Sequence, residues 1–359
     1  MHKEIDSKKV SQGRGKLPAF SLEHIDIEIN HRCNLACRHC SAQAVKGVCS
    51  SELSIAEIKK VLSQAKGMGL RKVGLTGGEP LYDMKKLEAI ADFCVNELQL
   101  SLHIHTNGTL LAERIRGNGK VLSLFESISV TFLGGNAETH DYVTATKGTF
   151  DQTFNAAKLL ASKGLPLSCY FIPLRGTCKG FDRLAEDLYR IGAKNIRVMA
   201  LAPSGRARPI YNKTVPTKEE VEKFERSLLT KREELGLQIE AGYCTRLSIH
   251  RLSVLIGHEV CTSGVNRIHI NSKGDVFPCT AASGVKELTL GNLRNNGLRL
   301  DDIWLNSETI KLIRMVHAGN LAQCSECQRK PKCQFGCTVN ACGTMLQEER
   351  RLCPLVKQK

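Results

Sequence analysis

Closely spaced cysteines constrain this sequence more than any other feature. The chain has 359 residues and 16 cysteines, and three of them, Cys33, Cys37 and Cys40, lie in one short segment. A second group lies near the end of the chain, between Cys324 and Cys353. The first sixteen residues are polar and basic, without the apolar stretch of a secretory signal. Clustered cysteines under reducing conditions usually bind metal. We therefore expect a cytoplasmic metalloprotein.

Charge and composition exclude two classes of partner. The net charge is +15, but the basic residues are scattered and aromatic residues make up only 5% of the chain. That is too few for a platform on which nucleic-acid bases stack. No apolar run is long enough for a transmembrane helix. We expect neither a nucleic acid nor a membrane as a partner, and the charge favours an acidic peptide or a redox protein.

Short apolar runs alternate with amphipathic helical patterns in the first two thirds of the chain. A capping box of Ser54 and Glu57 starts one helix, and others are predicted at 84–96, 153–162 and 183–191. Strands are predicted at 25–29, 73–75, 100–105, 128–132, 167–172 and 196–201. This alternation predicts βαβ units and a parallel sheet. Six units are fewer than a closed eight-fold barrel needs, so we predict an open, partial (β/α)6 barrel.

The same pattern divides the chain into four segments. Residues 1–20 are predicted to be a flexible tail, and residues 21–235 the partial barrel. The periodicity fades after Leu237, so residues 236–260 are predicted to be a linker. Turns rich in Gly, Asn and Cys follow from Cys261. They predict a second, cysteine-rich domain over residues 261–359.

The cysteine triplet follows the first predicted strand directly. Its spacing, Cys-x3-Cys-x2-Cys, supplies three thiolates from one loop. A four-iron cluster bound by three cysteines keeps one iron open for chemistry. The alternative is a structural zinc ion with His31 or His39 as fourth ligand. A zinc-stabilised barrel that binds nucleic acid is the corresponding non-enzymatic hypothesis.

This loop resembles the signature of the radical S-adenosylmethionine (SAM) superfamily, including an aromatic residue, His39, before the third cysteine. The resemblance implies that the open iron chelates the methionyl amine and carboxylate of SAM. It also implies that an electron cleaves the sulfonium to give a 5′-deoxyadenosyl radical, which abstracts a hydrogen from the substrate. In such chemistry the protein orients the cofactor and excludes water.

Further motifs of that family follow the second and third strands. Gly77, Gly78 and Glu79, with Pro80 after them, match its Gly-Gly-Glu-Pro motif, whose strand-end backbone and carboxylate hold the SAM ammonium. Asn107 closes the third strand in Thr-Asn-Gly and is by resemblance a candidate SAM contact. The alternative there is an ordinary Asn-Gly turn.

The fourth and sixth strands match the family less evenly. Met199, Leu201 and Arg206 resemble the segment that flanks the adenine of SAM, although Met199 could also be a core residue. After strand four, relatives carry Ser-Leu-Asp-Gly, whereas residues 132–135 read Phe-Leu-Gly-Gly. His140 and Asp141 are retained. Ribose or substrate contacts assigned to the missing serine and aspartate therefore do not carry over.

The C-terminal cysteines resemble the SPASM domain of radical SAM enzymes that modify peptides and proteins. By that resemblance auxiliary cluster I uses Cys261, Cys279 and Cys337, with Cys244 as a candidate fourth ligand. Auxiliary cluster II uses four others: Cys324, Cys327, Cys333 and Cys353. The cofactors implied are SAM and three 4Fe–4S clusters. Two zinc-ribbon sites are the alternative for this module.

The resemblance favours a maturase that cross-links or epimerises a ribosomally made peptide or protein. Its expected partners are the peptide and a reductant such as flavodoxin or ferredoxin. The leader of the peptide would be recognised by a separate protein or by the barrel itself. An anaerobic sulfatase-maturing enzyme is an alternative, weakened by Thr280 where that family has aspartate. A small-molecule enzyme acting on a tetrapyrrole, quinone precursor or sugar is another. Cys178, predicted at the barrel mouth, is a candidate hydrogen-atom donor.

Overall fold

The computed structural model describes residues 20–47, 51–241 and 261–317. Within these ranges the strands are β1 (His24–Asn30), β2 (Lys72–Gly77), β3 (Ser101–Thr106), β4 (Ser127–Phe132), β5 (Leu167–Phe171), β6 (Asn195–Val198), β7 (Gln238–Ala241), β8 (Arg267–Ile270), β9 (Asp275–Phe277) and β10 (Gly291–Asn292). The helices are α1 (Ile55–Gly67), α2 (Met84–Asp92), α3 (Leu111–Asn118), α4 (Ala137–Thr144), α5 (Thr149–Ser162), α6 (Phe181–Arg190), α7 (Tyr211–Thr214), α8 (Lys218–Leu235), α9 (Leu300–Asn306) and α10 (Glu308–His317). No helix in the described ranges is both long and apolar enough to cross a membrane.

The strands form a ten-stranded sheet in the order β10-β9-β8-β1-β2-β3-β4-β5-β6-β7. Each of the strands β1 to β6 pairs in parallel with the next strand along the chain, and helices connect β1 through β7. Because β7 and β10 lie at the two edges, the sheet is open. The predicted partial α/β barrel is confirmed, and β7 adds a strand beyond the six predicted units.

Local sequence explains the elements nearest the site. Alternation along β1 buries Ile25, Ile27 and Ile29 completely, in the same core as the apolar stripe of α1. Helix α1 begins at the predicted capping box, in which Ser54 and Glu57 each accept from the other's backbone N–H. Cys94 and Cys169 are fully buried in this core, so both pack as small apolar residues, as predicted.

Two features of the sheet extend beyond the sequence prediction. Strand β7 lies within the stretch that the sequence predicts as a linker. Strand β8 pairs in parallel with β1, with Ile25 opposite Ile268 and Ile27 opposite Ile270. The cysteine-rich segment thus begins as a continuation of the barrel sheet. Its boundary with the barrel as a separate domain remains a prediction.

Buried charges connect β1 to β8 on the face opposite the isoleucines. Arg267 Nη2 lies 2.5 Å from the Asp26 carboxylate. Glu28 lies 3.2 Å from His269 Nε2 and accepts from the Ser272 backbone N–H. Burial acts to raise the pKa of Asp26, but the His24 ring and the Arg267 guanidinium hold it well below its usual range. These pairs fix the cysteine-rich segment to the barrel.

Substitution of Asp26 tests this attachment. Asp26→Asn leaves the Arg267 guanidinium without its carboxylate partner in a mostly buried position. We expect a loss of about 3 kcal/mol and a fall of about 6 °C in the thermal midpoint, followed by circular dichroism. Asp187→Asn, which breaks exposed pairs to Arg183 and Arg190, should leave the midpoint unchanged. Equal effects of the two variants would contradict a structural role for the Asp26–Arg267 pair.

Candidate active site

The cysteine triplet lies on the loop that follows β1, at the carboxyl ends of the parallel strands. Cys33 is buried, and Cys37 and Cys40 are half-buried. The Cys33 N–H donates to the Val45 carbonyl and the Val45 N–H to the His31 carbonyl. These two hydrogen bonds close the loop at its base. All three thiols border one small apolar cluster with Leu35 and Ala44.

The three sulfur atoms influence one another electrostatically. Burial, with a contribution from neighbouring thiols, raises the pKa of Cys33 and of Cys37 to about 12. In the described ranges no three Cys, His, Asp or Glu side chains are grouped closely enough to hold one metal ion. A multi-iron cluster spreads its cysteine ligands over several irons. Three soft, desolvated sulfur donors on one loop fit such a cluster.

The two glycines of the Gly-Gly-Glu-Pro turn contact the base of the cysteine loop. Gly77 has a φ of +136°, and a Cβ there would lie 2.3 Å from the Asn30 carbonyl oxygen. A Cβ on Gly78 would lie 2.0 Å from the Arg32 carbonyl oxygen. The close approach that these glycines permit is therefore to the protein's own backbone. It is reinforced by hydrogen bonds from Gly78 N–H to Asn30 and from Glu79 N–H to Arg32.

Glu79 is completely buried between the ends of β2 and β3. Its carboxylate accepts hydrogen bonds from the Leu81 N–H, the Thr106 hydroxyl and the Asn107 N–H. Burial raises the pKa of Glu79, and these three donors oppose the rise. The carboxylate thereby fixes the start of the Thr-Asn-Gly turn. A direct contact between Glu79 and the SAM ammonium remains a prediction.

Asn107 lies beside the first cysteine of the triplet. Its side-chain nitrogen is 3.8 Å from Cys33 Sγ and 3.1 Å from Asn34 Oδ1. The Leu35 backbone N–H donates to the same sulfur from 3.4 Å. Cys33 Sγ therefore has two N–H donors. Both favour the thiolate form that binds metal.

Arg206 holds the cysteine loop from a position far along the chain. Its Nε donates to the Cys37 carbonyl and its Nη1 to the Ala44 carbonyl, each at 2.8 Å. Its backbone N–H donates to the Cys40 carbonyl. Gly205 has a φ of +55°, and a Cβ there would lie 2.3 Å from the Cys40 oxygen. This segment thus supports the loop, and a contact between Arg206 and SAM remains a prediction.

The two remaining residues of the predicted adenine segment lie just beyond β6. Met199 is half-buried, and its N–H donates to the Phe171 carbonyl. Leu201 is buried in a small apolar cluster that borders Cys37. That cluster separates part of the cysteine loop from water. Contacts of Met199 and Leu201 with a cofactor remain predictions.

Helix α4 supports the other side of the loop. Arg38 donates from its backbone N–H to the Val143 carbonyl and from Nε to the Tyr142 carbonyl. Its guanidinium also stacks on the Tyr142 ring at 4.6 Å. Burial and the Arg206 guanidinium lower the pKa of His39 to about 4. The His39 ring is therefore neutral near pH 7.

The His-Asp pair in the middle of this helix, His140 and Asp141, has a structural role. His140 Nδ1 accepts from the Leu133 N–H. The Asp141 carboxylate accepts from the Gly148 and Phe150 N–H groups and from the Thr149 hydroxyl. It thus caps the start of α5.

The auxiliary cysteines lie only partly in the described ranges. Cys261 and Cys279 are both buried. Burial acts to lower the pKa of Arg267, but Asp26 and the sulfurs of Cys279 and Cys261 raise it. Both sulfurs therefore influence one guanidinium electrostatically. A cluster shared by Cys261 and Cys279 remains a prediction. The other predicted auxiliary ligands lie outside the described residues: Cys244, Cys324, Cys327, Cys333, Cys337 and Cys353.

Cys178 lies in the loop between β5 and α6, as predicted. Its side chain is half-buried against the main core, and its sulfur lies 3.9 Å from the Leu174 carbonyl oxygen. Burial raises the pKa of the Cys178 thiol to about 12, so the sulfur is protonated near neutral pH. A role as hydrogen-atom donor remains a prediction.

Two family models match this chain. The model of the radical SAM superfamily matches residues 27–176. The model of the SPASM iron–sulfur cluster-binding domain matches residues 261–329. The chain is thus a member of the radical SAM superfamily and an enzyme. Within that superfamily it belongs to the SPASM-domain group, whose cofactors are SAM and iron–sulfur clusters.

Individual relatives cover most of the chain. The PqqA peptide cyclase of Rhizobium meliloti is 28% identical over 88% of this chain and 81% of its own length. An AdoMet-dependent heme synthase of Methanosarcina barkeri is 27% identical over 90% and 93%. The crystal structure of Streptococcus suis SuiB bound to precursor peptide SuiA has a TM-score of 0.70 and 17% identity, covering 94% of this chain and 76% of SuiB. SuiB has also been crystallised with SAM. At that identity the likeness to SuiB supports the fold alone.

Sequence reasoning missed several residues that shape the loop. Arg38 donates to backbone carbonyls, and such contacts leave no pattern in the sequence. Asn34 and Thr109 bracket Asn107 through side-chain hydrogen bonds. The sequence did carry a signal for Asn34 and Thr109. Asn34 is a polar residue between two cysteine ligands, and Thr109 is a polar residue directly after the Asn-Gly turn.

Removing the Arg206 guanidinium tests its role as a clamp. Arg206→Met deletes two charge-assisted hydrogen bonds to the loop. We expect local opening of residues 33–45 to become easier by about 2 kcal/mol, so amide exchange there should quicken by about 30-fold. Hydrogen–deuterium exchange with mass spectrometry measures this directly. Arg208→Met, at an exposed position on the same turn, is the matched control and should leave exchange unchanged.

Proposed function

We propose that this enzyme reductively cleaves SAM and abstracts a hydrogen from a residue of a ribosomally made peptide or protein. The product would be a thioether or carbon–carbon cross-link, or an epimerised centre. The observation that carries the catalytic part is the placement of Cys33, Cys37 and Cys40 on one loop, held by the ends of β2, β3 and β6. Similarity to a peptide cyclase supports the peptide substrate.

We assign different tasks to the cysteines of the loop and to the residues that contact it. Cys33, Cys37 and Cys40 would hold the catalytic cluster. When bound, cluster and SAM together supply the electron transfer and the 5′-deoxyadenosyl radical. Arg206 fixes the loop by donating to the loop's carbonyls, and Leu201 belongs to the apolar cluster against which Cys37 packs. Met199 and the turn at residues 77–79 would lie along SAM.

Two auxiliary clusters complete the proposal, giving three 4Fe–4S clusters in all. Cluster I would use Cys261, Cys279 and Cys337, with Cys244 as the fourth ligand. The burial of both Cys261 and Cys279 supports this assignment. Cluster II would use the last group of cysteines: Cys324, Cys327, Cys333 and Cys353. A small acidic reductant, such as flavodoxin or ferredoxin, would act in the cytoplasm, where thiols stay reduced.

A small-molecule substrate is the second candidate. The AdoMet-dependent heme synthase matches over 90% of this chain, nearly as well as the peptide cyclase. The tetrapyrrole hypothesis therefore stands beside the peptide hypothesis. Both share the same catalytic loop, so only the substrate distinguishes them.

Substitution of a triplet cysteine tests the catalytic assignment. Cys37→Ala should lower the iron content from about 12 to about 8 atoms per chain after anaerobic reconstitution. It should also abolish 5′-deoxyadenosine formation from SAM under dithionite, measured by liquid chromatography. Cys94→Ala, which removes a core thiol, should retain both properties. Undiminished 5′-deoxyadenosine from Cys37→Ala, or stoichiometric zinc in place of iron, would refute the assignment.

Mass spectrometry distinguishes the substrates and the bonds formed. The enzyme is incubated anaerobically with SAM, reductant and a short peptide encoded beside its gene. A loss of about 2 Da, two hydrogens, indicates an oxidative cross-link, and deuterium uptake from D2O without net loss indicates epimerisation. A parallel incubation with a tetrapyrrole precursor tests the second candidate. An unchanged peptide together with a converted tetrapyrrole would overturn the peptide proposal.

A further inference from the structure

A closed ring of hydrogen bonds surrounds the side chain of Asn107. Asn107 Nδ2 donates to Asn34 Oδ1 at 3.1 Å, and Asn34 Nδ2 donates to Thr109 Oγ1 at 2.7 Å. Thr109 Oγ1 in turn donates to Asn107 Oδ1 at 2.6 Å. Each donor in this ring meets one acceptor. The ring therefore determines which way both amides and the hydroxyl point.

The ring uses only one of the two hydrogens on the side-chain nitrogen of Asn107. Asn107 Oδ1 also accepts from the Thr109 backbone N–H at 2.9 Å, so a flipped amide would set two donors against each other. In the remaining orientation Nδ2 is 3.8 Å from Cys33 Sγ. That distance is within hydrogen-bonding range for the large sulfur atom. The second amide hydrogen is thus presented to a cysteine of the catalytic triplet.

The backbone of Asn107 is held on both sides. Its N–H donates to the buried Glu79 carboxylate at 2.8 Å, and its carbonyl accepts from the Thr153 hydroxyl at 2.9 Å. Thr153 itself is fully buried on α5. Since backbone and side chain are both fixed, the amide is preorganised against the sulfur before any ligand binds.

We infer that Asn107 is a positioning residue that sets the reduction potential of the catalytic cluster through Cys33. This rests on the proposed function, which places a cluster on that sulfur. Hydrogen bonds to cysteine sulfur stabilise the reduced, more negatively charged cluster and so raise its potential. Glu79, Asn34 and Thr109 act indirectly by holding the amide in place. The geometry assigns to the Thr-Asn-Gly turn a task other than contact with SAM.

Two neutral substitutions test this inference without adding charge. Asn107→Leu keeps the approximate shape of the side chain but cannot donate. We expect the equilibrium constant for one-electron reduction of the cluster to fall about tenfold. This corresponds to a midpoint potential more negative by about 59 mV. Thr109→Val opens the ring while leaving Asn107 in place, and should shift the potential in the same direction by less. Thr109→Ser retains the hydroxyl and should restore the wild-type potential.

The readout is an anaerobic redox titration of the full-length, reconstituted protein, followed by electron paramagnetic resonance. A Cys33/Cys37/Cys40→Ala triple variant identifies which signal belongs to the triplet.

If the triple variant loses no iron and no signal, the proposed function fails and the inference has no cluster to act on. If the triplet signal is present but Asn107→Leu and Thr109→Val leave its potential unchanged, the inference alone is overturned. Lower iron content with an unshifted potential would reduce Asn107 to a structural role and also overturn it. Should Asn107→Leu fail to bind iron, Thr109→Val decides.

Discussion

The parallel pairing of β1 with β2, and of β2 with β3, is the constraint on which the site depends. Asn30, the last residue of β1, is opposite Gly77 at the end of β2. Because parallel strands all finish at the same edge, the cysteine loop, the glycine turn and Asn107 meet there without any long insertion. The contacts among them are mostly hydrogen bonds to backbone groups. A shift of register by one residue would separate the Glu79 carboxylate from the Asn107 N–H and so disconnect the turn from the loop.

Local patterns in the sequence were sufficient for strands β1 to β6. Alternating isoleucines predicted β1, and Ser54 with Glu57 predicted the start of α1, because each pattern depends on residues a few positions apart. The cysteine triplet was equally readable, since its three ligands lie on one loop. Short-range physics of this kind needs no knowledge of the fold.

Long-range contacts could not be predicted in the same way. Arg206 binds carbonyl oxygens of Cys37 and Ala44, and every residue has a carbonyl. The pairing of β8 with β1 joins segments more than two hundred residues apart, and neither strand carries a signal for the other. The glycines at 77 and 78 were assigned from the sequence to the binding of SAM, which remains a prediction, and their contact with the cysteine loop was not anticipated. In the structure the two glycines approach the backbone of Asn30 and Arg32, and only the assembled sheet reveals this contact.

Charged residues on the sheet are paired across neighbouring strands. Asp26 on β1 pairs with Arg267 on β8, and Arg197 on β6 bonds Glu240 on β7 at 2.9 Å. Both pairs join a barrel strand to a strand that the sequence did not assign to the barrel. The apolar face of β1 belongs to the core, so the opposite face is free to carry polar groups. Such pairing balances charge within the sheet and also attaches its outer strands.

The distance along the chain between the cysteine loop and its clamp has a consequence for biosynthesis. Arg206 binds the loop across 169 residues of sequence, and a ribosome makes Cys33, Cys37 and Cys40 long before it makes Arg206. During that interval the three thiols lack the clamp that shapes them. A loop shaped by its clamp therefore exists only once the segment after β6, which carries Arg206, has been made. The shape of the loop is thus decided late in synthesis, by a residue made long after the cysteines themselves.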